Sequence, residues 1–294
     1  MNTNVTRRHL LSRAAAAAAS LALSPAFAPL FADAGKKRRF SIGICDWMLS
    51  KNDPSTMQMA KDLGLDGVQV NMGSVGNDMH LRKPDVQKAY LEAAKKSGTE
   101  VSSLAIGEMN NVPLKADPRA EQWLADSIDV AKGLGVSIIL LAFFSKNDLK
   151  GDKKGTDKVV QILKQHAPRA EKEGKILGIE SWLSAEEHVD ILDRVGSPAV
   201  QVYYDLGNSH LRGYDIYKEI RWLGLKRICE FHAKDYDNVF GKGKVDFKEV
   251  RKAMDDIGYS GWIQLEGATP KGMDRMELHR ANREYLKTVF PPNG

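Results

Sequence analysis

One phrase recurs along this chain and restricts its fold more than any other feature. An amphipathic run closes on a glycine, and a short β-branched, apolar run follows at once. "MAKDLGLDGVQVNM" does this at Gly64, "AAKKSGTEVSSLAIGE" at Gly98, "DVAKGLGVSIILLAFF" at Gly135 and "AEKEGKILGIESW" at Gly174. The phrase returns at Gly196, Gly224 and Gly258. A glycine just past a helix end accepts the left-handed conformation that closes the last turn. Basic residues gather before several of these glycines, where they oppose the helix dipole. With the opening run "FSIGICDWM", the pattern predicts eight strands, near 40–48, 66–72, 100–108, 136–144, 176–182, 200–206, 227–234 and 261–267. Helical patterns fill the gaps, Met273 to Val289 supplies the last, and Pro54, Pro84 and Pro118 sit at or near first turns.

Strands alternating with helices imply parallel pairing with both sheet faces covered. Eight such units in about 250 residues have the size of a single α/β (β/α)₈ TIM barrel. An open doubly wound sheet is the alternative, but it would normally carry a Gly-rich turn after its first strand, and "CDWMLSKND" has none.

The segment before the first strand reads differently. "TRRHLLSRAAAAAASLALSPAFAPLFADAGKK" sets Arg7 and Arg8 ahead of an Ala- and Leu-rich run that ends in small residues, the form of a twin-arginine export signal. Of two A-x-A sites, cleavage after Ala34 is favoured, because Pro29 follows the earlier one. The expected organisation is a signal over 1–34 and a TIM barrel domain over 35–294, with a periplasmic or otherwise exported product. An uncleaved anchor is the alternative reading, weakened by the low hydropathy of Ala and by Pro25 and Pro29. No stable membrane association is expected after cleavage. Losing residues 1–34 removes three arginines and one aspartate and takes the formal charge from +5 to +3, spread along the chain. That is not the clustered basic face of a nucleic-acid binder. Cys45 and Cys229, the only cysteines, lie in apolar strand-like runs and read as core residues.

In a barrel of this kind, chemistry collects at the C-terminal ends of the strands. Strand 1 ends with Asp46 and Trp47, strand 2 with Asn71, strand 3 with Glu108 and strand 4 with Phe143 and Phe144. Strand 5 supplies Glu180 and Trp182, strand 6 Asp205, Asn208 and His210, strand 7 His232 and Lys234, and strand 8 Glu266. Singly, a strand-end carboxylate often caps the next helix, and a lone histidine is often a core residue. Here four successive strands each end in a candidate ligand: Glu180, Asp205, His232 and Glu266. Neighbouring parallel strands lie about 4.8 Å apart, so inward side chains at matched height can converge on one ion. Three carboxylates and one imidazole suit Mn²⁺ or Mg²⁺, with Co²⁺ or Zn²⁺ also accommodated. Without a cation the carboxylates would raise one another's pKa. Lys234 shares the facing parity of His232 and either holds a substrate oxygen or pairs with Asp235. Trp47 and Trp182 either stack on a bound ring or pack the core, and Glu108 and His210 are further candidate polar contacts. "GKGKVDF" reads as a tight turn followed by Asp246 as a helix cap rather than as a phosphate nest.

These residues resemble the xylose-isomerase-like sugar phosphate isomerase/epimerase family. "FHAKDYDNVFGKGKVDFKEVRKAMDDIGYSGWIQLEG" joins an H-x-K-D strand end, a G-x-G-x-x-D-F loop, a helix and a G-Y-x-G-W strand ending in Glu, while "GIE" and "YDLGN" match the other ligand positions. The resemblance spans residues 38–290. It implies that Glu180, Asp205, His232 and Glu266 bind the metal and that Glu180 and Glu266 act as an acid/base pair on opposite faces of a carbohydrate. A cation bridging a carbonyl and the adjacent hydroxyl would acidify the C–H between them, one carboxylate removing the proton and the other returning it. The resemblance adds Glu186 as a substrate contact. Asn208 stands where the 3-epimerases carry a His, and Asn238 where they carry an Arg.

Three functions remain in competition on sequence alone. The first is a metal-dependent isomerase or epimerase of a sugar, keto-sugar or cyclitol. The second is a lyase or dehydratase that performs β-elimination on a 3-keto-glycoside at the same site. The third is a non-catalytic sugar-binding protein. The partner expected in each case is a small carbohydrate rather than nucleic acid, and a homo-oligomer is compatible with all three.

Overall fold

This computed structural model describes residues 40–291 apart from 237 and 268, so the expected export signal lies outside the described residues. Eight strands form one closed barrel in sequence order. They are β1 (Phe40–Cys45), β2 (Gly67–Asn71), β3 (Glu100–Ile106), β4 (Ile138–Phe143), β5 (Ile176–Ser181), β6 (Val200–Asp205), β7 (Ile228–Ala233) and β8 (Gly261–Leu265). All neighbours pair parallel, and β8 closes on β1 with Ile44 opposite Leu265. Outside run α1 (Ser55–Asp62), α2 (Pro84–Ser97), α3 (Pro118–Leu134), α4 (Lys153–Lys172), α5 (Ala185–Val195), α6 (Leu206–Leu211), α7 (Ile216–Leu223), α8 (Phe247–Asp256) and α9 (Arg275–Val289). The seven glycines that punctuate the sequence all have positive φ, from 63° to 73°. Pro84 and Pro118 open their helices, whereas Pro54 is the residue before α1. No described helix is long and apolar enough to cross a membrane.

The main core lies between barrel and helices, where Ile42, Ile44, Val68, Val70, Leu104, Ile106, Ile139, Leu141, Leu177, Ile179 and Phe231 are buried together. The lumen is different. Ala105, Leu140, Ala142 and Tyr203 form a small apolar cluster there, and Gln69, Ser103, Glu230 and Gln264 are buried and joined to one another by hydrogen bonds. Gln264 needs space to reach them: a Cβ on Gly43 would lie 2.1 Å from its Oε1, so only glycine fits opposite it on β1.

His188 ties α5 to the end of β5. Its Nδ1 donates to the main-chain oxygen of Ser184 (3.0 Å), which leaves Nε2 bare to accept the Ser181 hydroxyl (2.9 Å). Burial pushes this imidazole down to about 4. A histidine buried neutral binds fewer protons than the unfolded chain between about pH 4 and 6.5. Its contribution is therefore complete above 6.5 and is lost as pH falls towards 4, by about 3 kcal/mol at most. His188→Gln should lose less stability than the parent between pH 7 and 5 in thermal melts. Equal acid sensitivity of the two proteins would contradict this.

Candidate metal centre

The C-terminal mouth of the barrel opens into a cavity of about 770 Å³. Glu180 and Glu266 line it and come together with the buried Asp205 and His232, each of the four offering one donor atom, all within 4.8 Å of one another. Register explains the convergence: Asp205 pairs with His232 across β6 and β7, and Glu266 follows β8 directly, its N–H donating to the Ala233 carbonyl. His232 Nδ1 faces all three carboxylates, 2.8 Å from Glu180 Oε1, 3.6 Å from Glu266 Oε2 and 3.8 Å from Asp205 Oδ2.

Other side chains fix this geometry. Asp205 caps α6: its Oδ1 accepts the Asn208 main-chain N–H (2.7 Å), and its Oδ2 accepts the Asn208 side-chain amide (2.9 Å). The Tyr236 hydroxyl in turn donates to Asn208 Oδ1 at 2.7 Å. Glu266 is held at both oxygens, by Trp47 Nε1 at 3.0 Å and by Lys234 Nζ at 2.8 Å. Lys234 also lies 3.7 Å from Asp205, so it faces the cavity; Asp235 instead accepts the Lys244 main-chain N–H in the following loop. A Cβ on Gly207 would meet Lys234 carbons at 2.7 Å, so the bend after Asp205 admits the lysine only because it is glycine.

The expected mutual raising of the carboxylates holds for Asp205 but not for Glu266. Burial raises Asp205 well above the usual carboxylate range, with Glu266 and Glu180 adding to it against Lys234. Burial would also raise Glu266, but the Lys234 ammonium and His232 win and hold it at about 2. For His232, burial works downward and is outweighed by Cys45, Glu180 and Glu266, which hold the imidazole well above its ordinary value. The donor set fits a divalent cation: three hard oxygens and one imidazole nitrogen face a common point, and among the described residues the positive charges meeting them are His232 and Lys234. Such an ion must displace the His232 proton. Binding should therefore release at least one proton and tighten as pH rises. Titration calorimetry in buffers of different ionisation enthalpy reads this directly, and a buffer-independent enthalpy would contradict it.

Of the remaining candidates, Trp47, Glu108, Trp182, Asn208 and Lys234 line the cavity. Trp182 packs edge-on against Phe144 (5.3 Å between centroids) and lies under the Arg212 guanidinium at 4.4 Å. Two expected substrate contacts are not brought here. Glu186 is exposed on the first turn of α5, accepts the Ser184 hydroxyl (2.9 Å) and lines a separate groove against α4. His210 is half-buried at the end of α6, where it acts on Asp235. The N-terminal capping of α5 and the short helix α6 turn these two side chains away. Cys45 is not a plain core residue either, since its Sγ lies 3.4 Å from His232 Nε2; burial pushes this thiol up to about 12. Asp46 lines the cavity, buried, with Oδ1 unpartnered and Oδ2 accepting from Asn52 and the Asn71 main chain (both 2.8 Å).

The profile of the xylose isomerase-like TIM barrel family matches residues 57–289. The chain belongs to that family. It is 25% identical over 175 residues to the 2-epi-5-epi-valiolone 7-phosphate 2-epimerase of an Actinoplanes species, a match covering 59% of this chain and 64% of the relative. It is also 25% identical over 281 residues to the putative L-ribulose-5-phosphate 3-epimerase SgbU of Escherichia coli (strain K12), covering 84% and 95%. A crystal structure of D-psicose 3-epimerase in the presence of D-fructose superposes with a TM-score of 0.72 at 18% identity, covering 86% of this chain and all of that one. The family match and the superposition agree with the barrel fold.

Proposed function

We propose that this family member is a metal-dependent sugar isomerase or epimerase that moves a proton at a carbon beside a carbonyl. One observation carries the reading: the Glu180, Asp205, His232 and Glu266 donors converge beside a cavity that Glu180 and Glu266 line, in a chain whose relatives are named sugar epimerases. A divalent ion held there supplies a Lewis acid for a substrate carbonyl. Glu180 and Glu266 form the acid/base pair. Glu266 is kept ionised by Lys234, and Trp47 fixes its second oxygen. Lys234 offers an ammonium to a substrate oxygen, while Trp182 and Phe144 offer an apolar wall to a sugar face.

The lining supports a neutral substrate rather than the phosphorylated ones in the relatives' names. Among the described residues, Asp46, Glu108, Glu180 and Glu266 face two cationic side chains, Lys51 and Lys234, and no arginine lines the cavity. The breadth of the cavity, from Glu266 to Asn77 beyond β2, also favours a second reading: a keto-glycoside from which the same base expels an aglycone. The localisation proposal stands with this one. The Arg7–Arg8 pair directs the folded protein through a twin-arginine route, so replacing both by Lys should abolish export, and undiminished export of that variant would contradict it.

The test is a panel of free ketoses and 3-keto-glycosides incubated with the Mn²⁺-loaded full chain in heavy water. Deuterium uptake beside the carbonyl with isomer formation is the expected result. Aglycone release would replace it with the lyase reading, and binding without uptake would make the chain a sugar-binding protein.

A further inference from the structure

The ligand His232 is held from behind by a chain of hydrogen bonds that can run in only one direction. Its Nε2, the nitrogen away from the carboxylates, lies 2.8 Å from Gln69 Oε1. The Gln69 amide nitrogen is 3.0 Å from both Ser103 Oγ and Tyr203 Oη. Both hydroxyls are 2.9 Å from one atom, Glu230 Oε1, which also accepts Gln264 Nε2 at 2.7 Å. All six side chains are buried.

The direction follows from donor and acceptor inventories. Glu230 Oε1 accepts Gln264 Nε2–H and, as a carboxylate oxygen, can only accept, so Ser103 and Tyr203 must donate to it. Each hydroxyl has one hydrogen, so towards Gln69 each can only accept. The Gln69 NH₂ must therefore face the two hydroxyls and its carbonyl oxygen must face His232. That oxygen accepts the Nε2–H, so Nδ1, the nitrogen 2.8 Å from Glu180, is the one that can give up its proton to a metal. In solution an imidazole is free to carry its proton on either nitrogen; here the wrong tautomer would set a bare Nε2 against the Gln69 carbonyl and an N–H against the metal position.

We infer that Gln69 is a positioning residue which, oriented by Glu230 through Ser103 and Tyr203, selects the tautomer of His232 that binds metal through Nδ1. The inference rests on the metal-centre reading above. Loss of such an outer partner costs about 10–100-fold in metal affinity. Gln69→Leu removes the acceptor and should weaken Mn²⁺ binding by about that factor. Gln69→Glu keeps an oxygen facing Nε2–H and should restore binding to within a few-fold of the parent. Glu230→Gln should act from a distance. Its amide can donate to the hydroxyls, which frees them to donate to Gln69 and lets that amide turn its NH₂ towards His232.

The experiment is a Mn²⁺ titration followed by electron paramagnetic resonance, paired with NMR of the ring-¹⁵N-histidine full chain saturated with Mg²⁺. The His232 signals are assigned by their loss in His232→Ala. The expected result is a protonated Nε2 in the parent and Gln69→Glu, with weaker binding and a mixed or reversed tautomer in Gln69→Leu and Glu230→Gln. A purely structural role would lower melting temperature without changing the tautomer. Unchanged affinity in Gln69→Leu, or Nδ1 protonation in the loaded parent, overturns the inference alone; a parent that binds no divalent ion overturns the metal reading with it. Should Gln69→Leu fail to fold, the parent tautomer and the Gln69→Glu affinity still decide the matter.

Discussion

Glu266→Gln should lower deuterium exchange at the substrate carbon by about 10²–10⁴-fold, the range that a positioned acid/base group supplies. The substitution removes the ionisable group and keeps one oxygen for a metal. It also meets a local conflict. Both Glu266 oxygens are occupied, one by the Trp47 indole and the other by Lys234, and an amide can accept from only one of them. The lysine charge will keep the oxygen, so the Trp47 N–H is left facing an NH₂, a loss of about 1–3 kcal/mol for a buried donor. Metal content must be measured alongside exchange. A variant that holds its ion but has lost exchange confirms the acid/base role, whereas full exchange by Glu266→Gln removes it.

Mn²⁺ should stabilise the protein markedly. Ligand at 100 times its Kd adds about 2.7 kcal/mol, and a domain of this size gains about 2–4 °C for each kcal/mol, so the melting temperature should rise by about 5–11 °C. His232→Ala deletes the nitrogen donor itself. Its affinity should fall by more than the about 10–100-fold expected for an outer-shell partner, and the shift at the same Mn²⁺ concentration should vanish. An undiminished shift in His232→Ala would place the ion elsewhere.

Much of this was legible from the sequence, for physical reasons that differ between elements. The helix–glycine–strand phrase precedes seven of the eight strands because the helix before each is closed by a positive-φ residue that glycine tolerates best. The four candidate ligands were legible because they sit one per strand at the same relative position. Strand ends were read too long: Asp46–Leu49 and Gly107–Asn110 are tight helical turns, and their buried Leu49 and Met109 carry the apolar pattern past the ladder. Glu186 was placed by its spacing from Glu180, but the capping box at Ser184 opens a helix there and aims the residue outward. Whether Lys234 paired with Asp235 or entered the cavity could not be read locally, since the answer depends on Glu266 and Asp205 from other strands.

The support behind His232 was missed, though it left a signal. Gln69 lies two residues before Asn71, Glu230 two before His232, and Gln264 two before Glu266, so each shares the inward parity of a strand-end polar residue. Mid-strand polar residues at that parity mark a wet lumen. They are easily passed over when the neighbouring positions, which face the helices, are so strongly apolar.

Elemental analysis of the dialysed full chain after Mn²⁺ loading tests the centre most directly. One ion per chain is expected in the parent and none in Asp205→Ala or His232→Ala. An ion-free parent, or a full ion retained by either variant, would contradict the assignment.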